Sequence, residues 1–131
     1  MTKRNWTKLN WTDRQPHVGH ENVLIHYIYE PKGMEGKGED ETTLLGQWRL
    51  TKHSIQPSKR GDFHTHEPDT SEHVFYVLGG RGQIKLDEES VDIGVGDAVH
   101  VPPGVGHQSI NNGDEWLELL VISASTKRVG Q

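Results

Sequence analysis

The chain is 131 residues long, which suits one domain and is too short for two cores that each stand alone. Its 19 acidic and 14 basic residues give a formal charge of −5, and no Lys/Arg cluster forms a phosphate-binding stripe, which argues against nucleic acid as a partner. Cysteine is absent, so disulfide staples and thiolate metal sites are excluded, and any metal has to be held by nitrogen and oxygen.

The first 21 residues read as an N-terminal arm, polar except for Trp6 and Trp11. Those two indoles need a surface to cover, either the chain's own body or a second copy. Aromatic enrichment at interfaces supports the second choice, so a homodimer is expected. The arm lacks the apolar stretch of a secretory signal, and no run of about 18 apolar residues occurs further on. A soluble, cytoplasmic protein without membrane contact is the expectation.

From residue 22 onward, short β-branched and aromatic runs bounded by Gly, Pro, Asn or Asp follow one another, with little helical periodicity. The strands expected are Asn22 to Tyr29, Leu44 to Ile55, Phe63 to His66, Glu72 to Leu78, Gln83 to Asp87, Ser90 to Ile93, Ala98 to Val101, His107 to Asn111 and Glu115 to Ser123. Their spacing fits an all-β barrel or sandwich occupying residues 22–125, with 126–131 as a polar tail. The glycine-rich, charged stretch Glu30 to Thr43 reads as a long surface loop, with a flap over a site as the alternative.

Nine histidines in so short a chain call for a chemical explanation, since neutral imidazole is the commonest metal ligand. His64 and His66 are two apart and so share one face of a strand. The turn-forming Glu67-Pro68-Asp69-Thr70-Ser71 then returns the chain to a strand that begins with Glu72, which can face the same side. His73 alternates with Glu72 and should face away. A second hairpin, built around Pro102, Pro103 and Gly104, can deliver His107 to the same place.

These two stretches closely resemble the paired signature motifs of the cupin superfamily. Gly96, Pro102, Gly104, His107 and Asn111 match the second motif at every marked position, and His64, His66, Glu72 and Gly79 match the first. Five residues separate His66 from Glu72, which keeps His73, Glu67 and Asp69 in view as ligands, and the spacing to Gly79 selects Glu72. Ser58 stands where the family's leading glycine would fall. The resemblance implies a single-domain cupin β-barrel, a jelly roll or double-stranded β-helix. It also implies that His64, His66, Glu72 and His107 bind one divalent transition metal ion per chain.

Three neutral nitrogens and a carboxylate suit Mn, Fe, Ni, Co or Zn. Two open coordination positions would accept a chelating acid, enediol or diketone. The expected function is therefore a metal-dependent enzyme on a small oxygenated substrate, dioxygenase- or decarboxylase-like. A sugar isomerase or epimerase and a non-catalytic small-molecule-binding barrel are the alternatives. Tyr76 shares the face of Glu72 by the period-two rule and reads as a wall or proton donor of the site. Gln47 and Arg49 face inward or outward together, and the sequence leaves that choice open. An inward Arg49 would favour a carboxylate.

Overall fold

The computed structural model describes residues 8, 10–19, 21–29, 48–61, 63 and 71–125. Trp6, the loop 30–43, Gln47, His64, His66 and the tail 126–131 lie outside them, as do the expected strand segments at 44–47 and 64–66. Among the described residues a 3-10 turn at Trp11–Asp13 is followed by nine strands: β1 (Pro16–Gly19), β2 (Val23–Tyr29), β3 (Trp48–Ile55), β4 (Ser71–Gly79), β5 (Arg81–Leu86), β6 (Glu89–Gly94), β7 (Ala98–Val101), β8 (His107–Ile110) and β9 (Leu117–Ser125).

They form a six-stranded sheet ordered β1-β2-β3-β9-β4-β7 and a three-stranded sheet ordered β6-β5-β8, with antiparallel pairing throughout. The all-β expectation holds, and the expected strands agree with those observed to within a few residues where the chain is described. The core between the sheets is built from residues alternating along each strand: Val23 and Ile25 on β2, Phe75 and Val77 on β4, Ile84 on β5, Ile93 on β6, and Leu117, Leu119 and Val121 on β9.

One strand falls inside the expected arm. β1 pairs with β2 through Pro16↔His26 to Gly19↔Val23, and the reversal passes through Glu21 and Asn22, both at positive φ (46° and 49°). That turn lacks the Asn-Gly or Asp-Gly signature by which such a hairpin is recognised in sequence.

The outer face of the large sheet carries a second layer of packing. Lys52 is buried there, with its Nζ ion-paired to Glu118, 3.0 Å from Ser54 Oγ and 4.2 Å from the centroid of the Trp11 ring. Trp11 also meets the buried His26 edge-on, at 4.9 Å between ring centroids. This indole therefore covers the chain's own sheet, although two fifths of it stays exposed.

Glycine is demanded at Gly80. Its φ is +77°, and a Cβ there would lie 2.4 Å from the Trp116 carbonyl oxygen, so only a residue without a side chain fits where β4 turns into β5. At Gly79 the same construction meets nothing nearer than 3.6 Å. The glycine fixed by the fold is thus one residue later than the motif reading supposed.

Candidate metal centre and pocket

The inner face of the large sheet carries one row of polar side chains across three neighbouring strands. Arg49 on β3 pairs in register with Ser123 on β9, and Ser123 pairs with His73 on β4. The next row in from it is Thr51, Val121 and Phe75, and the one after is His53, Leu119 and Val77. Polarity therefore declines from Arg49–Ser123–His73 toward the apolar interior. The opposite sheet closes the space with His107, Gln108 and Ser109 of β8. The resulting pocket leaves about 40 Å³ open to the centre of a water-sized sphere, and Tyr27, Arg49, His53, His73, Phe75 and His107 are among its walls.

His73 and His107 stand together. Their rings are 5.2 Å apart between centroids, and the residues are only 5% and 3% exposed. The His107 Nδ1 lies 3.2 Å from the Val105 carbonyl oxygen, which can only accept, so Nδ1 carries the proton and the neutral ring has its lone pair on Nε2. The His73 Nδ1 is 2.7 Å from Ser123 Oγ. When that nitrogen donates to the hydroxyl, His73 takes the same tautomer. A backbone carbonyl or side-chain oxygen on one ring nitrogen is the usual way a ligating histidine is oriented.

The turn that delivers His107 is pinned from both directions: Gly106 N donates to Asp87 Oδ1 and Asp87 N donates to Gly106 O, each at 2.8 Å. Gly104, at φ +83°, makes the preceding reversal possible. Asn111 ties down the loop after β8, as expected. Its buried amide donates to the Ile55 and Glu115 carbonyls and accepts from Gly113 N.

The expected facing of β4 is reversed. Its buried residues are His73, Phe75 and Val77, so Glu72 and Tyr76 project from the outer surface. The Glu72 carboxylate lies 3.2 Å from His100 Nε2, with both side chains about half exposed (44% and 54%). Tyr76 is 43% exposed, and neither residue is among the pocket walls. The cause is the one-residue offset at the glycine: counted back from Gly80 rather than Gly79, the motif's ligand position falls on His73. Among the pocket residues, the sequence does not single out His53 or Ser123, and it weighs His73 as a ligand but sets it aside for Glu72; the Gly79-Gly80 pair is the available signal for His73. Arg49 faces inward, which settles the choice the sequence left open.

Among the described residues no group of three or more His, Cys, Asp or Glu side chains converges as a complete metal cluster. Two of the four expected ligand positions, His64 and His66, lie outside them. The described segment approaching those positions runs along β8: Arg60 bridges Ile110, Gly61 N donates to Ser109 O at 2.9 Å, and Gln108 Nε2 donates back to Gly61 O at 2.8 Å. Two neighbouring imidazoles of this kind are donors of the type that fits a divalent transition metal.

A family model described as a cupin domain matches residues 52–123, more than half of the chain. The chain belongs to the cupin family. This cupin is 38% identical over 58 residues to an uncharacterized protein of Methanocaldococcus jannaschii, a stretch covering 44% of the chain and 46% of that protein. It is 29% identical over 109 residues to a glucose-6-phosphate isomerase of Thermococcus kodakarensis, covering 78% of the chain and 56% of the enzyme. The cupin thus spans about half the length of these curated relatives. Among solved structures, a predicted oxalate decarboxylase from Thermotoga maritima superposes with a TM-score of 0.72 at 18% identity, covering 91% of this chain and 99% of that one. At that identity the likeness establishes the shared barrel fold. Among the described residues no helix is long and apolar enough to cross a membrane.

Proposed function

We propose that this cupin is a metal-dependent enzyme acting on a small oxygenated molecule, with His64, His66, His73 and His107 as the ligand set. The observation that supports it is the buried His73–His107 pair on the pocket wall, each ring with Nδ1 within hydrogen-bond distance of an oxygen. His73 takes the place that Glu72 held in the motif reading. A bound divalent ion would supply Lewis-acid or redox chemistry to a chelated substrate. The chain's own part is to orient the two rings through Val105 O and Ser123 Oγ, to exclude bulk water with Phe75, Val121 and Ile25, and to hold the substrate within reach.

Decarboxylation or oxidative cleavage stands first among the reactions. Sugar isomerisation is the second reading, favoured by the relative named glucose-6-phosphate isomerase. The experiment is elemental analysis of the purified chain with His73→Ala, His107→Ala and Glu72→Ala variants, followed by turnover assays on chelating acids, diketones and sugars with each metal. Ion stoichiometry should drop in the first two variants and stay at the wild-type level in the third. A wild type carrying no stoichiometric ion after incubation with Mn, Fe, Ni, Co and Zn would end the metal-centre reading. Metal bound without product from any class would leave a binding barrel instead.

A homodimer is part of the same proposal. Tyr76, Leu78 and Ile122 present exposed apolar surface on the outer face of β4 and β9, and such surface is characteristic of a protein contact. Sedimentation equilibrium at micromolar concentration should give twice the 14.8 kDa chain mass.

A further inference from the structure

His26 is 9% exposed on the outer face of β2, and its Nδ1 is buried with no hydrogen-bond partner among the described residues. Three elements pack around it. The 3-10 turn sets the Trp11 ring edge-on to the imidazole, β3 places Lys52 directly across from it in register, and β1 places Pro16 on its other side. A neutral imidazole is a compact ring that packs well under an indole. Protonation would create a buried N–H at Nδ1 with no acceptor, and a second cation beside the Lys52 ammonium. Both changes act against the packing. We infer that His26 is the trigger of a proton-operated latch: neutral, it holds the turn carrying Trp11 closed on the outer face of the sheet, and protonated, it releases that turn while the barrel stays folded.

The turn is built to come away on its own. None of its residues is buried, and apart from the Trp11 ring its side-chain tie to the sheet is Arg14, whose Nε donates to the Ile28 carbonyl at 3.1 Å. Its cap is internal, with Asn10 Oδ1 accepting from Thr12 N and Asp13 Oδ2 accepting from Asn10 N, so the turn keeps its shape when it lifts. Segments with so little buried surface open locally at a fraction of the global cost. The charged groups around the imidazole lean toward the neutral form. Burial and then Lys52 from β3 hold its pKa below 6.5, Glu118 from β9 opposes them, and His17 from β1 adds to them. Glu118 already accepts from Lys52 and Ser54, and Asp13 from Asn10. An open latch leaves the imidazole in water, where its ordinary affinity for protons returns. One proton then shifts the closed-to-open ratio by up to about tenfold for each pH unit between 6.5 and the lower closed-state value, and no further below it.

The test is indole N–H NMR of the full chain labelled with 15N-tryptophan, titrated from about pH 7.5 to about pH 5 with circular dichroism alongside. The chain has four tryptophans, and Trp11→Phe identifies the Trp11 line. In the wild type that line should move to the position of a free indole and become broadened by a soluble gadolinium chelate, with a one-proton midpoint below 6.5. The Trp48 and Trp116 lines and the dichroism should not change. His26→Gln and His26→Phe, both permanently neutral, should keep Trp11 closed throughout, and the pair guards against one variant failing to fold.

A Trp11 line that keeps its place and its protection to the acid end of the titration would overturn the inference. So would the same release in both neutral variants, since His17, Asp13 or another group would then be the trigger. Release that coincides with loss of dichroism would also overturn it, because turn and barrel would then open as one. Trp11 already free at neutral pH in both variants would reduce His26 to a packing ring and end the latch.

Discussion

The two faces of the large sheet bury polar groups on the same strands in opposite ways. On the outer face, Lys52, Ser54 and Glu118 form a closed cluster of an ion pair and a hydroxyl, lidded by Trp11 and flanked by His26. On the inner face, at the alternating positions of β3 and β9, Arg49 and Ser123 line an open pocket with His73 and His107. The outer cluster balances its charge within itself, as buried ionic groups must if they are to be structural. The inner row instead lines a cavity, so its polar groups border a space that a small molecule can enter. Burial of polar side chains alone does not distinguish the two; what they face, packed side chains or a cavity, does.

Removing one member of the outer cluster should have the largest effect. Lys52→Met leaves Glu118 beside apolar surface without its cation. A fully buried pair broken in this way costs about 3–5 kcal/mol, and the partial exposure of Glu118 brings the expected loss to about 2 kcal/mol. Urea denaturation measures it, and the double variant Lys52→Met, Glu118→Leu should recover much of the loss. Equal instability of single and double variants would mean that the cluster is not self-balanced.

A smaller effect comes from pH. Burial in the first place, and then the charges of Lys52 and His17, hold the His26 pKa below its ordinary value of 6.5, with Glu118 opposing them. The folded chain thus binds fewer protons at this site than the unfolded chain. Its contribution is present in full above about pH 6.5 and is lost progressively as the pH falls toward the depressed folded value. Thermal unfolding followed between pH 7.5 and 5, at roughly half-unit steps, should show a decline that His26→Gln makes shallower. An identical slope in that variant would assign the pH dependence elsewhere.

The smallest change is expected at the exposed Glu72–His100 pair. Glu72→Ala should alter stability by less than about 0.5 kcal/mol, because half-exposed ion pairs are worth little. A large loss of stability on this substitution would contradict the outward placement of Glu72 and blur the distinction between the faces.

Much of the molecule was legible before any coordinates. Gly, Pro and Asn punctuation marks eight of the nine strands among the described residues, since turn chemistry is local, and Gly104, His107 and Asn111 occupy the turn, strand and loop positions expected of them. The strand β1 was missed because its turn at Glu21 and Asn22 carries no glycine. β4 was turned over for a different reason. His73, Phe75 and Val77 alternate with Val74, Tyr76 and Leu78, so both faces are apolar enough to be the inside, and a period-two pattern cannot choose between them. The spacing to Gly79 points to Glu72, Tyr76 follows from it by the period-two rule, and the pattern itself offers nothing to correct either.

The sequence by itself determined the all-β class, the absence of cysteine thiolates, the turn and strand that carry His107 and the resemblance to cupins, because each depends on residue type and short-range spacing. Only the tertiary structure decided that His73 and not Glu72 meets His107, and that Arg49 looks inward. Those facts follow from strand register and from the close approach of the Trp116 carbonyl to Gly80, contacts between residues far apart in the chain that no local pattern encodes.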